Sequence, residues 1–583
     1  MTRALLLLLL LPACGTLTGR SASNDLADLV DAEWRRRLEA SPLLATSVGS
    51  RVGLDRMPSV TPADLARRAD ADRADLEALG HIDAAALDDE DRVTLAMIRR
   101  ELADRIADFE FGEWQMPLTS DSGFHTALVR LPREVPLQTL DDYEAYLARL
   151  RDLPRYVDEQ LENMRAGLRE GRTLARVVLD GIESTIAAEV VDDPEESAFF
   201  APFAAIPDTI PPARRDRLRA AGRVTVAAKA VPAMRSIVRF FADEYRPGAR
   251  PTIGASEWPD GAAHYAHLVR RFTTLDATPE EIHRTGLDEV ARIRAEMTEV
   301  IARTGFDGDY AAFLGFLRTD PRFYAETPEE LLRRAAWICK KMEGALPRLI
   351  GHLPRRPFTV APVPAAIAPK YTGGRYVPAP AGSDQPGTYW VNTYALESRP
   401  LYVLPALSLH EAVPGHHTQI ALGQEMEGLP EFRRHTYINA YGEGWALYGE
   451  RLGLEAGIYA DPYDDFGRLT YEMWRACRLV VDTGMHAFGW SRERARAYLA
   501  ENTALSLHEV GTEIDRYISW PGQALSYKAG ELEIRRLRAE AEAALGAGFD
   551  RRAFHDELLA HGPVPLDVLR ENVERWVART SGR

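Results

Sequence analysis

Only three cysteines, Cys14, Cys339 and Cys477, occur in the 583 residues, so no disulfide framework holds this fold together. A phosphate-binding glycine loop, a GxSxG elbow and a dinucleotide fingerprint are also missing, which removes the common nucleotide and serine-hydrolase chemistries. Positive charge is not in surplus: 71 Lys and Arg face 87 Asp and Glu, a formal charge of -16. That balance argues against a nucleic-acid partner and favours solubility. Long apolar runs are lacking too, except for Leu5–Leu11. That run falls far short of the roughly 20 residues a spanning helix needs.

The chain opens instead with an export signal. MTRALLLLLLLPACG has one basic residue, the leucine run and then Cys14, and its end resembles the lipobox of bacterial lipoproteins. On this reading residues 1–13 are the signal peptide, Cys14 is the lipidation site, and residues 14–24 form a tether. Acyl chains on Cys14, at about 0.8 kcal/mol per buried CH₂, hold a protein at a bilayer surface without crossing it. Gly15 in place of aspartate points to the outer membrane, facing the periplasm. The remaining cysteines lie in helical, apolar contexts, either as one bridge or as two buried thiols.

Residues 25–583 read as a single large, mainly α unit, in one or two lobes around a cleft. Stretches such as LDDYEAYLARLRDLPRYVDEQLENMRAGLREG place apolar residues three or four apart with charges opposite. Thr61-Pro62, Thr278-Pro279 and Thr327-Pro328, each followed by acids, mark helix starts. From Pro354 to Pro400 the pattern changes to Pro, Gly and aromatics, and GTYWVNTY (Gly387–Tyr394) has the composition of a strand. A small sheet lining the cleft is expected there.

The chemistry concentrates just beyond. Six of the chain's 14 histidines fall between His410 and His508, beginning with LHEAVPGHHT. In an HExxH helix, two histidines one turn apart share a zinc ion while the intervening Glu activates water. Here Pro414 occupies the second histidine's place. Proline lacks the N–H that would bond the His410 carbonyl, so the helix must bend, bulge or stop, and Gly415 permits the detour. His416 is preferred over His417 as the second ligand of one zinc ion, since it needs the smaller distortion. Glu443, on an apolar helix 27 residues after His416, suits the third position, because a lone buried carboxylate is costly without a cation. Glu450, beside Arg451, reads as a solvated ion pair. The metal site is placed within residues 387–530.

Other residues are assigned supporting roles. Asp482 and His486 share a helix face, either as a hydrogen-bonded core pair or with the first orienting a ligand and the second touching substrate. In RYISWPGQALSYKAG, Arg516 offers a clamp for a carboxylate and Tyr527 a donor to an oxyanion. His417, Lys528, Tyr389 and Asn392 complete the set expected around the metal or the substrate.

Five ordered segments, GTYWVNT, LHEAVPGHHTQ, EGWALYGERLG, RLVVDTGMHAFGW and RYISWPGQALSYKAG, make the chain resemble bacterial domain-of-unknown-function family 885. That family in turn resembles the gluzincin zinc peptidases, helical enzymes with a deep cleft. The resemblance implies His410, His416 and Glu443 as zinc ligands, Glu411 as general base, and Tyr527 near the transition state. It also implies GTYWVNTY as an edge strand that pairs with peptide backbone. The expected function is zinc-dependent hydrolysis of short peptides in the cell envelope. Two rivals share the site: a zinc amidase acting on peptidoglycan fragments, and a non-catalytic, lipid-anchored peptide-binding protein.

Overall fold

The computed structural model describes residues 21–120, 122–365, 367–379 and 385–582. The expected signal peptide and Cys14 lie outside these residues. The first helix, Ala22–Ala40, begins within the segment expected as tether, because the Ser21 hydroxyl caps it by accepting the Asn24 N–H.

Helices dominate. Thr61, Thr278 and Thr327 each cap one, accepting the backbone N–H of Asp64, Glu281 and Glu330, with proline in the first turn. A cluster of buried apolar side chains extends from Leu26 to Val573, so the first and last helices share a core. Cys339 and Cys477 are both buried free thiols. No helix among the described residues is long and apolar enough to cross a membrane.

The centre is the helix Pro462–His486, in which every residue from Asp465 to His486 is buried. Along it Asp465, Arg468, Glu472, Arg475, Arg478 and Asp482 recur every three or four residues, which places them on one face. Buried charges need partners, and the helix itself and its neighbours supply them. Arg468 bonds Asp465 and Glu472, Arg478 reaches Glu513, and Lys528 donates to Glu472 at 2.9 Å.

The sheet has three strands, β1 (Phe358–Pro362), β2 (Gly374–Val377) and β3 (Gly387–Val391), in the order β1-β3-β2. β3 runs parallel to β1 and antiparallel to β2. The GTYWV strand is therefore central, not at an edge as expected. Its composition marks a strand, but which neighbours flank it depends on the less regular segments on either side. Gly387, Tyr389 and Val391 alternate inward on β3, and the Tyr389 hydroxyl lies 3.4 Å from Ser408 Oγ on the helix Leu404–Glu411.

Candidate metal centre

The first histidine helix, Leu404–Glu411, is buried along its whole length. It stops at Glu411, and a second helix starts at His416. The Val413–Pro414 peptide between them is cis. The break is tight: the Gly415 N–H bonds Leu409 O, and the His417 N–H bonds Ala412 O. A Cβ on Gly415 would fall 1.9 Å from the His410 carbonyl oxygen, so only glycine lets the chain fold back this closely. That return brings the His416 ring to within 4.8 Å of the His410 ring, perpendicular to it.

The helix Asn439–Ala456 supplies the carboxylate. Glu443 Oε2 lies 3.5 Å from Nε2 of both His410 and His416. That oxygen is buried and has no hydrogen-bond partner. The three ligand atoms all fall within 4.8 Å of one another. Ligands about 2.0–2.1 Å from one tetrahedral zinc stand about 3.3 Å apart, so the donor set and its spacing fit such an ion. Electrostatics favour a cation at the same point. Burial opposes charge on His410, but Glu443, Glu450 and Glu411 outweigh it and push the imidazole up to about 9. Burial likewise opposes charge on Glu443, yet His416 and His410 hold its carboxyl well below the usual range.

Glu450 is not the solvated ion pair expected from the sequence. It is 1% exposed, and its Oε1 lies 2.9 Å from His410 Nδ1. Seven residues separate it from Glu443, two helical turns, so both carboxylates face His410. The i,i+7 spacing was the signal for this placement. Glu450 fixes the ring so that Nε2 points at Glu443, as carboxylates behind metal-binding histidines do. Arg475 stands 3.6 Å behind Glu450.

Glu411 accepts the Tyr376 N–H at 2.7 Å. His417 lies off the cluster: its Nδ1 is 3.0 Å from the Tyr376 hydroxyl, its ring packs on Phe358, and burial pushes it down to about 4. It supports the sheet beside the site. Tyr527 stands on the opposite side, its ring nearly parallel to His410 at 6.5 Å and the Arg478 guanidinium 4.1 Å from its centre. The helix Ser526–Leu545 gets that close because Gly530 meets Gly444, where a Cβ on Gly444 would fall 2.5 Å from Gly530 Cα. Arg516 binds Gln523 at 2.7 Å; burial works against its charge, but Tyr527 and Glu513 hold its pKa raised.

The remaining expected residues lie elsewhere. Asp482 accepts the Tyr265 hydroxyl and the Gly522 N–H, and His486 bridges Ala255 N and Tyr517 O. Their helix is enclosed by others, so this face meets the core, touching neither a ligand nor the cleft. Lys528 is fully buried among Glu289, Glu472 and Glu531. Tyr389 is sealed under the sheet, and Asn392 donates to the carbonyls of Ala368, Tyr371 and Thr372. Two residues near the site went unread in the sequence. Arg375 on β2 is exposed, and against desolvation Tyr371, Glu411 and Tyr527 hold its guanidinium raised. Tyr437, 44% exposed, rests its hydroxyl over Gly442, beside Glu443.

Fold and site together define a mainly helical protein with a His–His–Glu cluster whose ligand atoms are spaced so that they could hold a metal ion. The chain belongs to the family described as bacterial protein of unknown function (DUF885), whose model matches residues 42–573. Among solved structures it is similar to a "putative lipoprotein" from Colwellia psychrerythraea, with a TM-score of 0.88 and 29% identity over 96% of this chain and 100% of that one. It also shares its fold with a "putative lipoprotein of unknown function" from Shewanella oneidensis, at a TM-score of 0.69 and 18% identity over 94% and 99% of the two chains. No curated protein matches the sequence.

Proposed function

We propose that this protein is a gluzincin-like zinc peptidase that hydrolyses short peptides in the bacterial cell envelope. The observation that carries the reading is the buried, unpartnered Glu443 oxygen, 3.5 Å from two imidazole nitrogens, with Glu411 adjoining His410 in sequence. His410, His416 and Glu443 would hold the ion, and Glu450 fixes the His410 tautomer. Zinc bound there supplies Lewis acidity toward water and the scissile carbonyl. Glu411 takes the proton of the attacking water and returns it to the leaving amine. The Tyr527 hydroxyl, without a hydrogen-bond partner among the described residues, donates to the oxyanion.

The peptide lies along β2. Asn392 N bonds Gly373 O across to β3, whereas the Tyr376 N–H turns away from β3 to Glu411. By strand alternation the outer edge of β2 faces Glu411, so an extended substrate added to that edge passes the reacting groups. A lipid anchor at Cys14 is in keeping with the lipoprotein description of the Colwellia psychrerythraea relative; placed in the outer membrane, it would hold the enzyme in the periplasm. The test is hydrolysis of a quenched fluorescent peptide library by purified, zinc-loaded protein. Turnover lost in Glu411→Gln with zinc retained supports the reading; equal turnover by both proteins sinks it.

A further inference from the structure

A cavity of about 220 Å³ opens beside the metal cluster, lined by Leu404, Leu407, Gly373, Tyr471, Arg399 and Glu509 among others. Its wall includes the helix that carries His410. Leu404, Leu407 and His410 follow one another at three-residue steps along one helix, so the cavity begins three residues, about 4.5 Å of helix rise, before His410. Tyr471 lies one turn before Arg475, whose guanidinium stacks on it at 4.6 Å and reaches Glu450 on the other side. Gly373 precedes the first residue of β2.

The charges in this cavity are unevenly satisfied. Arg318 is spent on the carbonyls of Ala500, Thr503 and Leu505. Arg399 has no such acceptor: its Nε is buried without a partner. Two more buried guanidinium groups close to Glu509 also keep an unpartnered N–H, Arg475 at Nε and Arg478 at Nη1. Glu513 accepts hydrogen bonds from Arg478 and Arg516. The region therefore carries spare N–H donors. Burial, with Glu513 nearby, pushes the Glu509 carboxyl up to about 7, so its opposition to an incoming anion is weakened. Glu397 stands exposed at the rim.

We propose that this cavity is the subsite for the free C-terminal carboxylate of the peptide, with Arg399 as its cation. The inference rests on the peptidase reading and sharpens its substrate class. A peptide antiparallel to β2 travels from Val377 toward Gly373, so its C-terminal end reaches the cavity. From Tyr376, beside Glu411, to Gly373 is about 10 Å, or roughly three extended residues. The enzyme would thus release about two or three residues from the C-terminus of short peptides.

The test uses zinc-loaded full-length protein and one five-residue peptide in three forms: free acid, C-terminal amide and N-acetylated free acid. Binding is measured by calorimetry in Glu411→Gln, where no turnover interferes, and kcat/KM is measured in the wild type. The free acid should bind about tenfold to a hundredfold tighter than the amide, the range of a charge-assisted bond, and acetylation should change little. Adding Arg399→Gln should abolish the acid preference, while Arg399→Lys keeps part of it. Equal binding of acid and amide, binding of neither, or a penalty confined to acetylation would overturn the proposal. Acid-selective binding by a wild type that hydrolyses nothing would sink the peptidase reading and leave the subsite standing.

Discussion

Gly415→Ala is the sharpest perturbation the site offers. The added Cβ would stand 1.9 Å from His410 O and 2.5 Å from Leu409 O, against the 3.0 Å below which real Cβ contacts essentially never fall. Relief therefore needs a shift of about 1.1 Å, the difference between 3.0 and 1.9 Å. Both obstacles are backbone at the end of the first histidine helix, so no side chain can rotate out of the way. His416 is the next residue, and metal sites tolerate about 0.2 Å in ligand distance. Zinc affinity should fall at least about tenfold to a hundredfold. Overpacking of this kind costs about 1–3 kcal/mol, less than the stability of a typical fold, so the protein should remain folded. The assay is zinc competition against a chromophoric chelator, with circular dichroism melts alongside. Gly423→Ala, on the second helix with nothing within 4 Å of the added carbon, is the control and should bind zinc as wild type does. Wild-type zinc affinity in Gly415→Ala would refute the claim that this close approach positions His416.

Glu450→Gln should weaken zinc about tenfold to a hundredfold by loosening His410, read in the same competition assay. Gly530→Ala puts a Cβ 1.9 Å from Ala440 O and should push the Tyr527 helix outward, so kcat should drop while zinc binding persists; a wild-type kcat would count against Tyr527 acting on the substrate. Away from the site, the Glu557 carboxylate 3.8 Å from Nε2 and a 2.9 Å hydrogen bond to Glu90 push His561 up to about 9. A raised histidine stabilises fully below its unfolded value near 6.5 and loses that contribution as pH rises through 9. With Glu90 partly in solvent, the difference should be about 1–2 kcal/mol. Urea unfolding at pH 6 and pH 10 should show that loss in the wild type but not in His561→Gln.

The helical class was legible because apolar spacing and Thr-Pro starts are local signals, and local signals fixed Thr61, Thr278 and Thr327 as caps. The cluster of His410, His416 and Glu443 was also within reach, since Pro414 forbids a continuous helix and an isolated acid on an apolar helix needs a cation. Neighbour relations were not. β3 looked like an edge because nothing in GTYWV says what flanks it, and Lys528, Asp482 and His486 stayed open between core and function because one sequence cannot show that the Pro462–His486 helix is enclosed. Glu450 was misread from its neighbour Arg451, when its two-turn spacing from Glu443 was the better guide. Arg375 and Tyr437 carried no pattern at all; the fold alone brings them near the site.

The central claim is that one zinc ion sits among His410, His416 and Glu443. Anomalous diffraction at the zinc edge from crystals of the zinc-loaded protein tests it most directly. The account predicts a single strong peak about 2 Å from His410 Nε2, His416 Nε2 and a Glu443 oxygen, the spacing of zinc to such ligands. No peak there, or a peak on His417 instead, would contradict it.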